Sequence, residues 1–189
     1  PANYELRWFT PTVEVPLYGH ATLAAAWIVF HRLGDDRERV AFRTRSGILT
    51  VERDGGDLRM DLPAGASSPS SITPELRALL PAAPHEVRVT DRANVVVFDD
   101  PHHVRAFEPD FAAIERMPLP YLSVTAPGDD VDFVSRFFAP SAGVPEDPVT
   151  GSNHCVLAPY WAERLGRSVL TARQESARGG RVGCEVRGD

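Results

Sequence analysis

Two stretches of this chain repeat each other, and a duplicated chain is confined to folds in which each copy builds its own strand and helix framework. Residues 7–16 read RWFTPTVEVP and residues 136–145 read RFFAPSAGVP, with Arg, Phe, Pro, Val and Pro at matching places. After three extra residues in the second copy, GHATLAAAWIVFHRLG (19–34) aligns without a gap to GSNHCVLAPYWAERLG (151–166). Both segments open on glycine and close on Arg-Leu-Gly. A third pair, TRSGILTVE (44–52) and ARGGRVGCE (177–185), again sets glycine against glycine. Three matching blocks in one order point to a genuine duplication rather than to two ordinary strand–turn–helix units.

Each copy reads as a β-rich strand ending at Thr-Pro or Ala-Pro, where proline stops the ladder, then a loop, a glycine and a helix. The helices are expected over Ala21–Leu33 and Asn153–Leu165. Leu23 to Phe30 is apolar on every face, which predicts a helix buried all round and wrapped by a sheet. Pro159 removes a backbone bond and predicts a kink or a late start in the second helix. Between the copies, PAGASSPSS (63–71) is the linker candidate. A Thr73-capped helix through Leu80 follows, then strands near Val87–Thr90 and Asn94–Phe98, a helix around Asp110–Met117 and a strand at Tyr121–Ala126. His102-His103 read as a solvated loop. The expected division is residues 1–65 for the first half and 66–189 for the second.

The second half has about seventy residues ahead of Arg136 and the first only six ahead of Arg7, so symmetry predicts a first half truncated by some sixty residues at its N-terminus. The same comparison predicts a further strand after the closing Arg187-Gly188-Asp189, which reads as a turn rather than an adhesion motif. The apolar first helix would then lack cover. The isolated chain is expected to be poorly soluble or self-associated through that face, and inactive.

The net charge of −6 argues against a nucleic-acid partner, which needs a basic face. The longest apolar run is far too short to cross a bilayer, and no signal segment opens the chain. Two cysteines, Cys155 and Cys184, leave one disulfide open, but so few in so long a chain point to a reducing compartment and a cytoplasmic location. There is no GxxxxGK[ST], GxGxxG, GxSxG or HExxH, so nucleotide, hydride and serine-hydrolase chemistry lack their signatures. No ligand spacing suggests a metal.

Two glycine-led helices in duplicated halves suggest two N-termini converging on one cleft, each offering unpaired N–H groups to an anion such as a carboxylate. Around them gather His20 in LYGHAT, and Glu146, Asp147, Thr150, Ser152, Asn153 and His154 in EDPVTGSNH. Histidine and aspartate in such a setting suit acid–base proton transfer, with amides and hydroxyls holding an oxyanion or carboxylate. Each residue alone also has a plainer reading: His20 as a helix cap, Asp147 before Pro148 as a turn former.

RWFTPTVEVPLYGHATLAAA and RFFAPSAGVPEDPVTGSNHCVLAPYWAERLG resemble the two signature segments of the PhzF-like (phenazine biosynthesis) isomerases, and QESARGG (174–180) resembles a third. The resemblance covers nearly the whole chain. It implies an α+β, diaminopimelate-epimerase-like fold: two pseudo-symmetric barrel-like halves, each wrapped on a central helix, with a small carboxylate substrate between them. It implies an isomerase without metal or organic cofactor, often a homodimer. The best-known member moves a proton across the ring of a dihydro-hydroxyanthranilate. At matching positions His20 and Asp147 are implied as proton shuttle or orienting groups, and Gly19, Thr150, Gly151 and Ser152 as substrate contacts.

Two departures matter. The family's principal acid/base glutamate lies upstream of the first motif and has no counterpart in this sequence; Glu14 and Glu146 flank the motifs, but nothing makes either a substitute. Many members of the family also carry cysteine where this chain has Tyr18, a bulkier side chain. Epimerases of this fold place a thiol just before each helix glycine, here Tyr18 and Thr150, poor bases near neutral pH. A two-thiol epimerase or racemase is therefore disfavoured. A non-catalytic binding relative is the remaining alternative.

Overall fold

Residues 2–188 are described by the computed structural model, and they belong to two units, Pro1–Pro63 and Ala64–Asp189. The first contains β1 (Tyr4–Glu5), β2 (Trp8–Phe9), β3 (Glu14–Val15), α1 (Gly19–His31), β4 (Arg39–Thr44), β5 (Gly47–Asp54) and β6 (Asp57–Met60). The second contains β7 (Ser68–Ser70), α2 (Pro74–Leu79), β8 (Glu86–Val89), β9 (Ala93–Val97), α3 (Pro101–Arg105), α4 (Phe111–Arg116), β10 (Tyr121–Pro127), β11 (Phe133–Ala139), β12 (Val144–Glu146), α5 (Gly151–Leu165), β13 (Val169–Gln174) and β14 (Gly180–Glu185). The architecture is mixed α+β.

In the first unit β1 runs parallel to β4, which continues antiparallel through β5 to β6. β2 turns back on β3 just before α1. In the second unit an eight-stranded sheet has the path β14-β13-β11-β10-β9-β8-β7, with β12 paired to β11. There β11 alone does what β1 and β2 share: its first half pairs parallel with β13, and its second half turns back on β12 just before α5. Tyr4 faces Phe42 in one register and Phe133 faces Ala172 in the other.

The helix ends follow from the sequence. Gly34 and Gly166, the glycines closing the two Arg-Leu-Gly triplets, have φ of 67° and 68°, a left-handed conformation that releases a helix at little cost only for glycine. The Gly166 and Arg167 amides return to carbonyls of the last turn of α5. Arg53 on β5 donates to the carbonyls of Phe30 and Asp35, holding the end of α1.

In the first unit Ala26, Val29 and Phe30 of α1 bury against Val40, Phe42 and Val51. In the second, Leu157 and Trp161 of α5 pack with Val95, Val97, Phe133, Leu170 and Ala172 on one face of the sheet. Leu76, Val104 and Ile114, from α2, α3 and α4, pack with Val96, Leu122, Val124, Val134 and Phe138 on the other. Alternation along β9, β10 and β11 supplies both faces, as strands covered on two sides must.

Several expectations change. Both long helices begin two residues earlier than the apolar pattern suggests, on the glycines themselves. α5 starts at Gly151 and continues through Pro159 to Leu165, so the proline does not delay it. α1 is not covered all round among the described residues: Trp27 and Ile28 are 43% and 46% exposed. β4, β5 and β6 meet one stripe of the helix, and Trp27 on the far side stacks on His31 at 4.7 Å between ring centroids. His102 and His103 lie on α3 rather than in a loop, because Asp100 caps the His102 amide and Pro101 starts the helix. Ser68–Ser70 of the linker candidate pair as an edge strand with Val87–Val89 of β8. The closing turn includes Asp189, which lies outside the described residues; Val186 to Gly188 form no strand.

Candidate active site

Each long helix opens beside an arginine–glutamate fork. In the first unit Arg7 Nε and Nη2 donate to the two Glu14 oxygens, each at 2.9 Å. In the second, Arg136 Nε and Nη2 donate to Glu146 at 2.7 and 3.0 Å. The Arg136 fork is half-buried, and a further donation to the Phe107 carbonyl at 2.6 Å fixes it. Bidentate forks of this kind hold both partners in one geometry. Hydrogen bonding from Arg7 holds the Glu14 carboxyl below the usual carboxylate range. Both carboxylates beside the motifs are thus engaged by arginine. The repeat contains both arginines, but only strand register reveals the forks.

In the first unit Tyr18 caps α1 through its backbone: its carbonyl accepts from the Thr22 amide at 3.0 Å and the Thr22 hydroxyl at 2.8 Å. No side chain of the cap residue serves the first turn. Gly19 is buried as the first helical residue and His20 is half-buried as the second, its ring 4.4 Å from that of Tyr18. His20 therefore sits inside the first turn rather than at the cap.

In the second unit the equivalent corner is built around Asp147. Asp147 is 3% exposed and its amide donates to the Phe137 carbonyl at 3.0 Å. The Thr150 hydroxyl donates to Asp147 Oδ2 at 2.5 Å instead of capping α5. The Thr150 amide donates to Gln174 Oε1 at 2.8 Å, while Gln174 Nε2 donates to the Asp147 carbonyl at 2.6 Å and to Thr150 Oγ1 at 3.0 Å. Gln174 is wholly buried at the end of β13. Both polar groups expected of Thr150 as a substrate contact are therefore engaged within the protein. Gly151 is half-buried and Ser152 exposed at the open end of the helix. Asn153 is buried, and its Nδ2 makes no hydrogen bond among the described residues. A 15-residue helix with an uncapped first turn concentrates N–H groups and the positive end of its dipole at this corner.

His154 is buried beneath the same turn, and one of its ring nitrogens, Nδ1, lies 2.8 Å from the Thr150 carbonyl. A carbonyl only accepts, so Nδ1 carries the proton. Burial pushes the imidazole below its ordinary value, the Thr150 carbonyl opposing in part. The unfolded chain therefore takes up a proton near the ordinary value of 6.5 while the folded chain resists it. This contribution to stability is present above that pH and is lost as pH falls below it. Unfolding free energies measured by denaturant at pH 7 and pH 5 should drop more in the native protein than in His154→Gln. Equal drops would remove His154 from the pH response.

Cys155 and Cys184 are both free. Burial pushes the Cys155 and Cys184 thiols up to about 11, the wrong direction for a proton-abstracting thiolate. Among the described residues no group of three or more His, Cys, Asp or Glu side chains could hold a metal ion, and no helix is long and apolar enough to cross a membrane.

The sequence singled out Asp147, Thr150, Gly151 and Ser152, and the structure brings these together at the start of α5; it sets Gly19 and His20 together at the start of α1. It adds Gln174, for which the sequence offered no signal beyond its place in QESARGG.

An uncharacterised isomerase of Pseudomonas aeruginosa is 51% identical over 99% of this chain and 72% of its own length. The crystal structure of a phenazine biosynthesis protein of the PhzF family from Enterococcus faecalis superposes with a TM-score of 0.92 at 40% identity, over 98% of this chain and 71% of that one. A hydroxyproline epimerase from Agrobacterium vitis shares the fold more distantly, with a TM-score of 0.54 at 12% identity over 96% of this chain and 62% of its own. The phenazine biosynthesis-like protein model, PhzC-PhzF, matches residues 1–189, and the chain belongs to that isomerase family.

Proposed function

We propose that the chain catalyses a cofactor-independent proton shift on a small carboxylate-bearing substrate, with His20 and Asp147 as its acid–base pair. The carrying observation is the Asp147 corner. A buried carboxylate held by Thr150 and backed by Gln174 sits at the uncapped start of α5, a setting that places a proton acceptor beside N–H groups suited to an anion. The reading assigns the carboxylate of the substrate to the helix starts, through Gly19, Gly151 and Ser152, and Thr150 to orienting Asp147. The shared element order, the paired arginine–glutamate forks and the matching helix-ending glycines support two pseudo-symmetric halves. Family membership supports an isomerase; the homodimer rests on the resemblance, and the cytoplasmic location on the small number of cysteines.

The test is hydrogen exchange. The protein is incubated in deuterated buffer with EDTA and no nucleotide, against a dihydro-hydroxyanthranilate and a panel of small unsaturated amino and hydroxy acids. Mass spectrometry should find deuterium on carbon in at least one compound. Binding of panel members without any exchange would instead support a binding relative. The arginine-engaged state of both Glu14 and Glu146 is what favours that second reading.

A further inference from the structure

We propose that Gln174 is a positioning residue for Asp147, acting through the Thr150 hydroxyl; the inference rests on the acid–base reading of Asp147 given above. Three hydrogen bonds carry it. Gln174 Nε2 donates to the carbonyl of Asp147 at 2.6 Å and to Thr150 Oγ1 at 3.0 Å, and Gln174 Oε1 accepts from the Thr150 amide at 2.8 Å. All three go to the two residues that bracket the turn, none to a neighbouring strand, and the Gln174 side chain is fully buried.

The direction of these bonds has a chemical consequence. A hydroxyl has one proton to give. Because Gln174 Nε2 donates to Thr150 Oγ1, that oxygen acts as acceptor on one side and sends its proton to Asp147 Oδ2 at 2.5 Å. The amide thus orders a relay of donors, Gln174 to Thr150 to Asp147, and leaves the second carboxylate oxygen to its own surroundings. β13 supplies the anchor: Gln174 pairs with Ser135 of β11, and the next amide, that of Glu175, donates to the Ser135 carbonyl at 2.7 Å. The parallel pairing of β11 with β13 is therefore what carries Gln174, remote in sequence, to the start of α5.

An isosteric exchange tests the relay. In Gln174→Glu the side chain loses both N–H donors, and its carboxylate competes with Asp147 for the Thr150 proton. Protein labelled with ¹³Cγ aspartate is examined by NMR at one fixed pH near neutrality, with the Asp147 signal assigned by its loss in Asp147→Asn. The expected result is a displaced Asp147 signal in Gln174→Glu and in Thr150→Val, native position in Thr150→Ser, and no further displacement in the Gln174→Glu/Thr150→Val double variant. Turnover of any exchanging substrate should fall on the order of tenfold or more in Gln174→Glu with KM little changed, because misplaced groups chiefly slow the step they serve. An unmoved signal in folded Gln174→Glu overturns the proposal, as does a signal moved there but not in Thr150→Val. If Gln174→Glu fails to fold, Thr150→Val decides alone, an unmoved signal again overturning it. The two readings fail separately: displaced signals in a protein that exchanges nothing would sink the acid–base role and leave the relay standing.

Discussion

Replacing Asp147 by asparagine should slow substrate carbon–hydrogen exchange by about a hundredfold or more, the usual scale for loss of a positioned acid or base. The substitution is well suited to the question. Asparagine has the same shape, and its Oδ1 can still accept the Thr150 hydroxyl that now bonds Oδ2 at 2.5 Å. Its carbonyl still receives Gln174 Nε2, and its amide still donates to Phe137. What disappears is a group able to take and return a proton. His20→Ala should produce a loss of similar size while disturbing little packing, since His20 is half-buried at the start of α1. Thermal unfolding of both variants should stay within a few degrees of the native protein. Native exchange rates in both would reduce the two residues to structural roles. A large loss in Asp147→Asn alone would leave the α1 corner out of the chemistry.

What the sequence could and could not say about these corners follows from distance along the chain. Helix starts, helix-ending glycines and the strand that turns back before each helix are local events, and the repeat marks them twice. Asp147 and Thr150 are three residues apart, so their meeting at the head of α5 is almost dictated by the helix start. Gln174 lies 24 residues from Thr150, and its role depends on a parallel register between β11 and β13 that no local pattern encodes. The arginine–glutamate forks are intermediate: Arg7 and Glu14 become neighbours only because β2 turns back on β3. α1 shows the opposite limit. Its sequence is apolar on every side, so composition cannot tell Val29, 5% exposed, from Ile28 beside it. α3 has an Asp-Pro cap and start but only five residues, too few for a helical apolar period to show. Edge strand β7 was hidden by serines and prolines that also suit a linker, and only the ladder to β8 identifies it.

Trp161→Ala should destabilise the second unit by about 3–5 kcal/mol, the range for deleting a buried aromatic side chain. Trp161 is fully buried on α5 and stacks on Phe133 of β11 at 5.9 Å between centroids, its plane tilted by 10°. Its Nε1 donates to Thr125 Oγ1 at 3.0 Å, and that hydroxyl in turn donates to the Val134 carbonyl at 2.7 Å. The indole therefore joins the helix to β10 and β11 by packing and by a satisfied buried polar group at once. Alanine would leave a cavity among Val95, Val97, Leu157 and Leu170 and would deprive Thr125 of its donor, and the two costs add. A domain stability of about 5–15 kcal/mol makes such a loss a large fraction of the whole. Trp161→Phe should recover much of the packing but not the hydrogen bond, and so fall between. The measurement is equilibrium denaturation in urea with circular dichroism, following native protein and both variants. A loss below about 1 kcal/mol in Trp161→Ala would contradict the tight packing of α5 on the sheet. Because α5 also presents the Asp147–Thr150 turn, exchange activity should decline in Trp161→Phe less than in Trp161→Ala at any temperature where both remain folded.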